Sequence, residues 1–212
     1  MRRTNAVLFM ICLCFGQIAV IFPTAKAEKL RHILPTFTWE QVGGQALRQV
    51  NWDWRSALDG WSIRFGPGRP GYHGLTETSV RRITIWIRPT ESPESVAGTI
   101  VHELAHAFDE KYLTPALRSK WLAVRGLPPD TPWYFPVGHL LSDYLSGAGD
   151  FAESVSWTLQ GSKVGFLSCL GLRLSDAERK QVARGCHGLP PNKVQQALIR
   201  QWLAELPRMG GK

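Results

Sequence analysis

Val101-His102-Glu103-Leu104-Ala105-His106-Ala107-Phe108-Asp109 is the stretch on which the reading of the chain turns. It spells H-E-x-x-H within an apolar, helix-forming run. On a helix, two imidazoles four residues apart lie on one face, one turn above the other, so both can reach one ion. The carboxylate between them is placed to take a proton from a metal-bound water. A lone His in such a run reads as a packed or capping residue. The full spacing reads as a zinc site, with His102 and His106 as ligands and Glu103 as general base.

The flanking segments supply a scaffold. Upstream, Arg82-Ile83-Thr84-Ile85-Trp86-Ile87-Arg88 alternates as a strand should, with the three Ile on one face, and Pro89 ends it. Ser92-Pro93-Glu94 then opens a helix with an N-cap, a proline at the first helical position and an acid in the first turn. That helix is expected to reach about Lys111, with Val96, Ile100, Leu104 and Phe108 as its apolar stripe. Thr114-Pro115 starts another, which stops at Gly126. The next loop holds Pro128, Pro129, Pro132 and Pro136 around Trp133-Tyr134-Phe135, a candidate rim for a cleft. After Gly147-Ala148-Gly149 a further helix is expected to begin at Asp150 as its N-cap. Earlier, Thr38 to Gln41 has the form of a capping box for a helix reaching about Leu58, although Gly43-Gly44 weakens its first turns. Trp61 to Phe65 reads as a second strand, and Gly66 to Gly71 as a turn-rich loop. A closing amphipathic helix is expected from about Pro191 to Leu206. Two strand segments set among longer helical ones make this an α+β chain.

The chain has 212 residues, 44% of them hydrophobic and nine of them Trp, enough for one domain with a sizeable core. Arg2-Arg3, the apolar run from Ala6 to Phe22 and Ala25-Lys26-Ala27 together form a cleavable signal peptide over residues 1–27. Residues 28–212 are then an exported domain, secreted or held in the periplasm or cell envelope, and no later segment is long and apolar enough to span a bilayer. The formal net charge of +8 includes Arg2, Arg3 and Lys26, and there is no Lys/Arg block, so nucleic acid is not an expected partner. Cys169 and Cys186 remain after the leader and are expected to pair, closing a loop worth roughly 3 kcal/mol in the chain-entropy model.

A catalytic zinc needs a third protein ligand. Asp109 shares the face of His102, but a rise of about 1.5 Å per residue puts it about 4.5 Å beyond His106. It is expected beside the site, as a supporting carboxylate or a local structural partner. Glu153 lies inside the later helix among Phe151, Ala152 and Val155, where an unpaired acid is costly without a metal or a base beside it. It is the preferred third ligand. Asp150, already accounted for as a cap, is the alternative.

The pattern His102-Glu103-x-x-His106 followed by Phe151-Ala152-Glu153 resembles the gluzincin group of zinc metallopeptidases, which includes thermolysin and the catalytic domain of anthrax lethal factor. The resemblance covers roughly residues 80–160. It implies a zincin fold, with a small mixed sheet, an active-site helix and a glutamate helix, and peptide or protein substrates, with His102 and His106 on zinc, Glu103 as base and Glu153 as third ligand. It further implies that the strand from Arg82 lies near the cleft as an edge strand for an extended peptide. Lethal-factor-like members place the ligand before the Phe-Ala-Glu element, where Gly149 and Asp150 fall here. The oxyanion donor expected in such a mechanism is Tyr144, with His139 as the other candidate. Two rivals remain: an exported zinc-binding protein without turnover, against which Glu103 argues, and a zinc enzyme cutting a non-peptide bond such as a cell-wall amide.

Overall fold

In the computed structural model, which describes residues 38–135, 143–161 and 189–210, strand β3 (Arg82–Ile87) is the middle of a three-stranded sheet. Strand β1 (Ser62–Pro67) runs parallel to it, with Ile63 beside Ile83 and Phe65 beside Ile85. Strand β2 (Gly74–Glu77) runs antiparallel on its other side, with Gly74 beside Ile85 and Thr76 beside Ile83. The expectation of β3 as an edge strand is therefore corrected: among the described residues β1 and β2 are the edges. The reason lies in β3 itself, whose Ile83, Ile85 and Ile87 are all buried while its backbone is paired on both sides.

Six α-helices accompany the sheet among the described residues: α1 (Trp39–Gln49), α2 (Trp54–Ala57), α3 (Pro93–Tyr112), α4 (Pro115–Arg125), α5 (Gly147–Gln160) and α6 (Lys193–Met209). Their starts follow local chemistry. Thr38, Ser92, Thr114, Ser146 and Asn192 each accept a backbone N–H from their first turn. The single helix expected from Thr38 to Leu58 is two, because Val50 turns extended and Asp53 caps a new start. Gly43 is no defect in α1: a Cβ there would enter the Phe65 ring, so the glycine lets helix and sheet touch. The helix expected from Asp150 starts three residues earlier, capped by Ser146, which frees Asp150 for another partner.

Helix α3 departs from the expected single stripe. Val96, Ala97, Ile100, Val101, Leu104, Ala105, Ala107 and Phe108 are all at most 2% exposed. So broad a buried face makes α3 a core helix, packed against α1, the sheet and α5, with Ser95, Thr99, His106 and Glu110 along its one less buried line. The crossing with α5 is close at Gly98, whose carbonyl accepts the Ser156 hydroxyl at 3.0 Å. Such packing leaves the H-E-x-x-H residues little freedom. Among the described residues no helix is long and apolar enough to cross a membrane. The leader, Cys169 and Cys186, and His139 lie outside the described residues.

Candidate metal centre

Three nitrogen and oxygen donors converge where α3 passes the start of α5. His106 Nε2 lies 3.1 Å from His102 Nε2 and 3.1 Å from Asp143 Oδ2, and His102 Nε2 lies 3.3 Å from the same oxygen. Among the described residues these three side chains form the group able to share one cation. Four ligands at 2.0–2.1 Å in a tetrahedron are separated by about 3.3 Å, so the three spacings match a zinc-sized ion. The donor set, two imidazoles and a carboxylate, also suits zinc chemically. The group opens on one side: the Asp143 side chain is 44% exposed, whereas that of His102 is only 11% exposed.

Asp143 was not anticipated as a ligand. Glu153, the expected one, meets the other nitrogen of the ring, with Oε1 2.9 Å from His102 Nδ1. The hydrogen bond to the Glu153 carboxylate keeps a proton on Nδ1 and turns Nε2 towards His106 and Asp143, as the nitrogen a cation would meet. Glu153 thus orients the His102 ring, from the side away from the shared point. The alternative, Asp150, is bound elsewhere: it is fully buried and receives Arg125 at 2.8 and 2.9 Å and the Trp121 indole at 3.1 Å. Asp109 lies beyond His106, taking Arg118 and Trp133 at 2.8 Å each and the Tyr134 hydroxyl. The aromatic loop expected to rim a cleft is in part tied down by that carboxylate.

Glu103 is buried beside the two His and faces β2. The Thr76 hydroxyl lies 2.7 Å from its Oε2, and a Cβ on Gly74 would overlap its carboxylate. Gly74 and Thr76 therefore form a cradle for the expected base. Neither carries a motif that points to it in the sequence, because a four-residue strand shows too little alternation. Tyr144 sits edge-on to His102, with ring centroids 5.9 Å apart.

The charges around the centre favour a cation. Burial acts to lower the His102 pKa, but hydrogen bonds to Asp143 and Glu153 and the charges of Glu153 and Glu103 outweigh it and raise the pKa well above 6.5. His106 follows, with burial again opposed mainly by the Asp143 charge. Burial alone would raise the Asp143 pKa, yet the two imidazoles hold it far below the usual carboxylate range. Burial, then the Glu153, Asp143 and Glu103 carboxylates, push the Tyr144 phenol well above 10, so it stays a donor at neutral pH.

The segment delivering Asp143 is fixed by its own turn. Ser146 N donates to the Asp143 carbonyl at 2.8 Å, and the Ser146 hydroxyl is 3.0 Å from Asp143 Oδ1 while accepting Gly149 N at 2.9 Å. A Cβ on Gly149 would overlap the Asp143 carbonyl, which is backbone and cannot swing aside. Gly149→Ala is accordingly expected to cost about 1–3 kcal/mol of stability and to weaken by roughly tenfold or more any metal binding by the three-donor group. A thermal melt and a zinc titration of the purified variant measure the two effects.

No protein-family model, curated protein or solved structure matches this chain. The resemblance to gluzincins therefore rests on the motif residues alone.

Proposed function

We propose that this protein is an exported zinc-dependent peptidase of zincin type, with His102, His106 and Asp143 as the metal ligands and Glu103 as general base. The observation that carries this reading is the convergence of the three donors at 3.1–3.3 Å beside a cradled glutamate. A structural zinc site has no use for that glutamate. Zinc bound there supplies Lewis acidity, polarising the scissile carbonyl and lowering the pKa of a water towards about 7.

The chain's own residues do the rest. Glu153 keeps the His102 ring in the tautomer that offers Nε2. Thr76 holds the Glu103 carboxylate in place to accept a proton and later to pass it to the leaving amine. The Tyr144 phenol, kept protonated, donates to the oxyanion that develops on the carbonyl oxygen. Among the described residues β2 is the edge strand next to Glu103, and an extended peptide can add beside it by main-chain hydrogen bonds. The leader over residues 1–27 places the activity outside the cytoplasm.

The test is zinc content and casein cleavage of the purified protein. About one zinc per chain, with cleavage lost to a chelator and restored by zinc, supports the peptidase. Bound zinc with no cleavage favours the zinc-binding protein without turnover.

A pH effect follows from the raised imidazole pKa values. Because the neighbouring carboxylates outweigh burial and raise the His102 and His106 pKa values, the metal-free fold holds these protons to higher pH than free imidazoles do, and zinc must displace those that remain. Calorimetry in buffers of different ionisation heat is expected to show net proton release, growing as the pH is lowered from 9 to 6. In the metal-free protein the His contribution to stability is full below about 6.5 and is lost as pH rises through the raised values.

A further inference from the structure

We infer that Asp109 is a positioning residue for Asp143, holding the third zinc ligand at its distance from the two His. The inference rests on the zinc reading above. Asp109 is on α3, three residues after His106, and is 0% exposed. Arg118 alone would balance its charge, through a 2.8 Å contact to Oδ1. Yet Oδ2 also collects the Trp133 indole N–H at 2.8 Å and the hydroxyl of the adjacent Tyr134. Two consecutive loop side chains are thus gripped by one carboxylate of the metal-binding helix.

The loop so held has a defined task. Its Pro132 carbonyl accepts Gly147 N at 2.8 Å and its Trp133 carbonyl accepts Ala148 N at 3.0 Å. These are two of the first-turn N–H groups of α5 that have no partner within the helix. The Trp133 ring also lies against Gly147, where a Cβ would come within 2.7 Å of it. Immediately before Gly147 stands Ser146, which fixes the Asp143 backbone and carboxylate. A continuous set of contacts therefore runs from Asp109 through Trp133 and the start of α5 to Asp143. The two His ligands and the third donor come from different elements, and a metal site tolerates displacements of only about 0.5 Å. Asp109 ties the second element to the first at one buried point.

A role limited to general stability makes a different prediction, and a double-mutant cycle separates the two. Zinc affinity of the full protein is measured by competition with a chromophoric chelator for Asp109→Asn and Trp133→Phe, each in the wild-type and the Asp143→Ala background. Asn keeps the size of Asp, and Phe keeps an aromatic ring while losing the N–H. Both changes are expected to weaken zinc about 10–100-fold in the wild-type background and less than about twofold once Asp143 is gone. The cobalt(II) form of each single variant should show, per bound metal, a d–d spectrum shifted towards that of Asp143→Ala, a change that destabilisation alone does not produce. Equal losses in both backgrounds, or none in the wild type, overturn the inference while leaving the zinc reading intact. If Asp109→Asn does not fold, Trp133→Phe and Tyr134→Phe carry the same test. A wild-type protein that takes up no zinc overturns both.

Discussion

Glu103→Gln is expected to leave a folded protein that keeps its zinc but hydrolyses peptide at least about a hundredfold more slowly, in line with the 10²–10⁴ contributed by general acid–base groups. The substitution is nearly isosteric, and the Gln side chain can still accept the Thr76 hydroxyl that now meets Oε2 at 2.7 Å. What it cannot do is take a proton. Because Glu103 is outside the three-donor group, its change should fall on kcat and leave metal content alone. Casein hydrolysis beside metal analysis on the same preparation reads both quantities. Equal loss of zinc and activity would make Glu103 a structural or ligating residue. Full activity would remove it from the chemistry altogether.

The second large effect separates three carboxylates. Asp143→Ala removes one of three protein ligands and is expected to lower zinc affinity by about 10²–10³, a share of the free energy typical of structural zinc sites. Glu153→Ala removes only the acceptor behind His102, at 2.9 Å from Nδ1, and should weaken zinc by about 10–100-fold. Asp150→Asn should leave zinc binding of the folded protein unchanged but destabilise it by about 3–5 kcal/mol, since it strands the Arg125 charge, 6% exposed, without its anion. Denaturant unfolding with a zinc titration ranks all three variants. A ranking that put Glu153 or Asp150 ahead of Asp143 for zinc would reverse the ligand assignment.

The parts of this site legible in the sequence were those set by local spacing. His102 and His106 share a helix face by periodicity alone, and Ser92-Pro93 marks where that helix starts, as the structure has it. The strand at β3 and the stop at Gly126, in left-handed conformation, were readable for the same reason. Asp143 was not, because it belongs to a single 3-10 turn with no periodic pattern and meets the His pair only through tertiary packing. The reasoning that favoured Glu153 was sound as far as it went: a buried acid does need a base beside it, and the base is His102 Nδ1. Asp150 shows the converse error. Reading it as a helix cap hid its pairing with Arg125, which became visible only once Ser146 was seen to cap α5. Gly74, Gly147 and Gly149 each make room for a specific neighbour, Glu103, Trp133 and Asp143 in turn.

The most direct test of the central claim is the zinc K-edge absorption spectrum of the zinc-loaded protein. The account predicts a first shell of nitrogen and oxygen only, at about 2.0–2.1 Å, with the outer-ring scattering of two imidazoles. It further predicts that the shell loses a ligand or reorganises in Asp143→Ala. Sulfur at about 2.3 Å, which Cys169 or Cys186 would provide, or a spectrum unchanged by loss of Asp143, would contradict it.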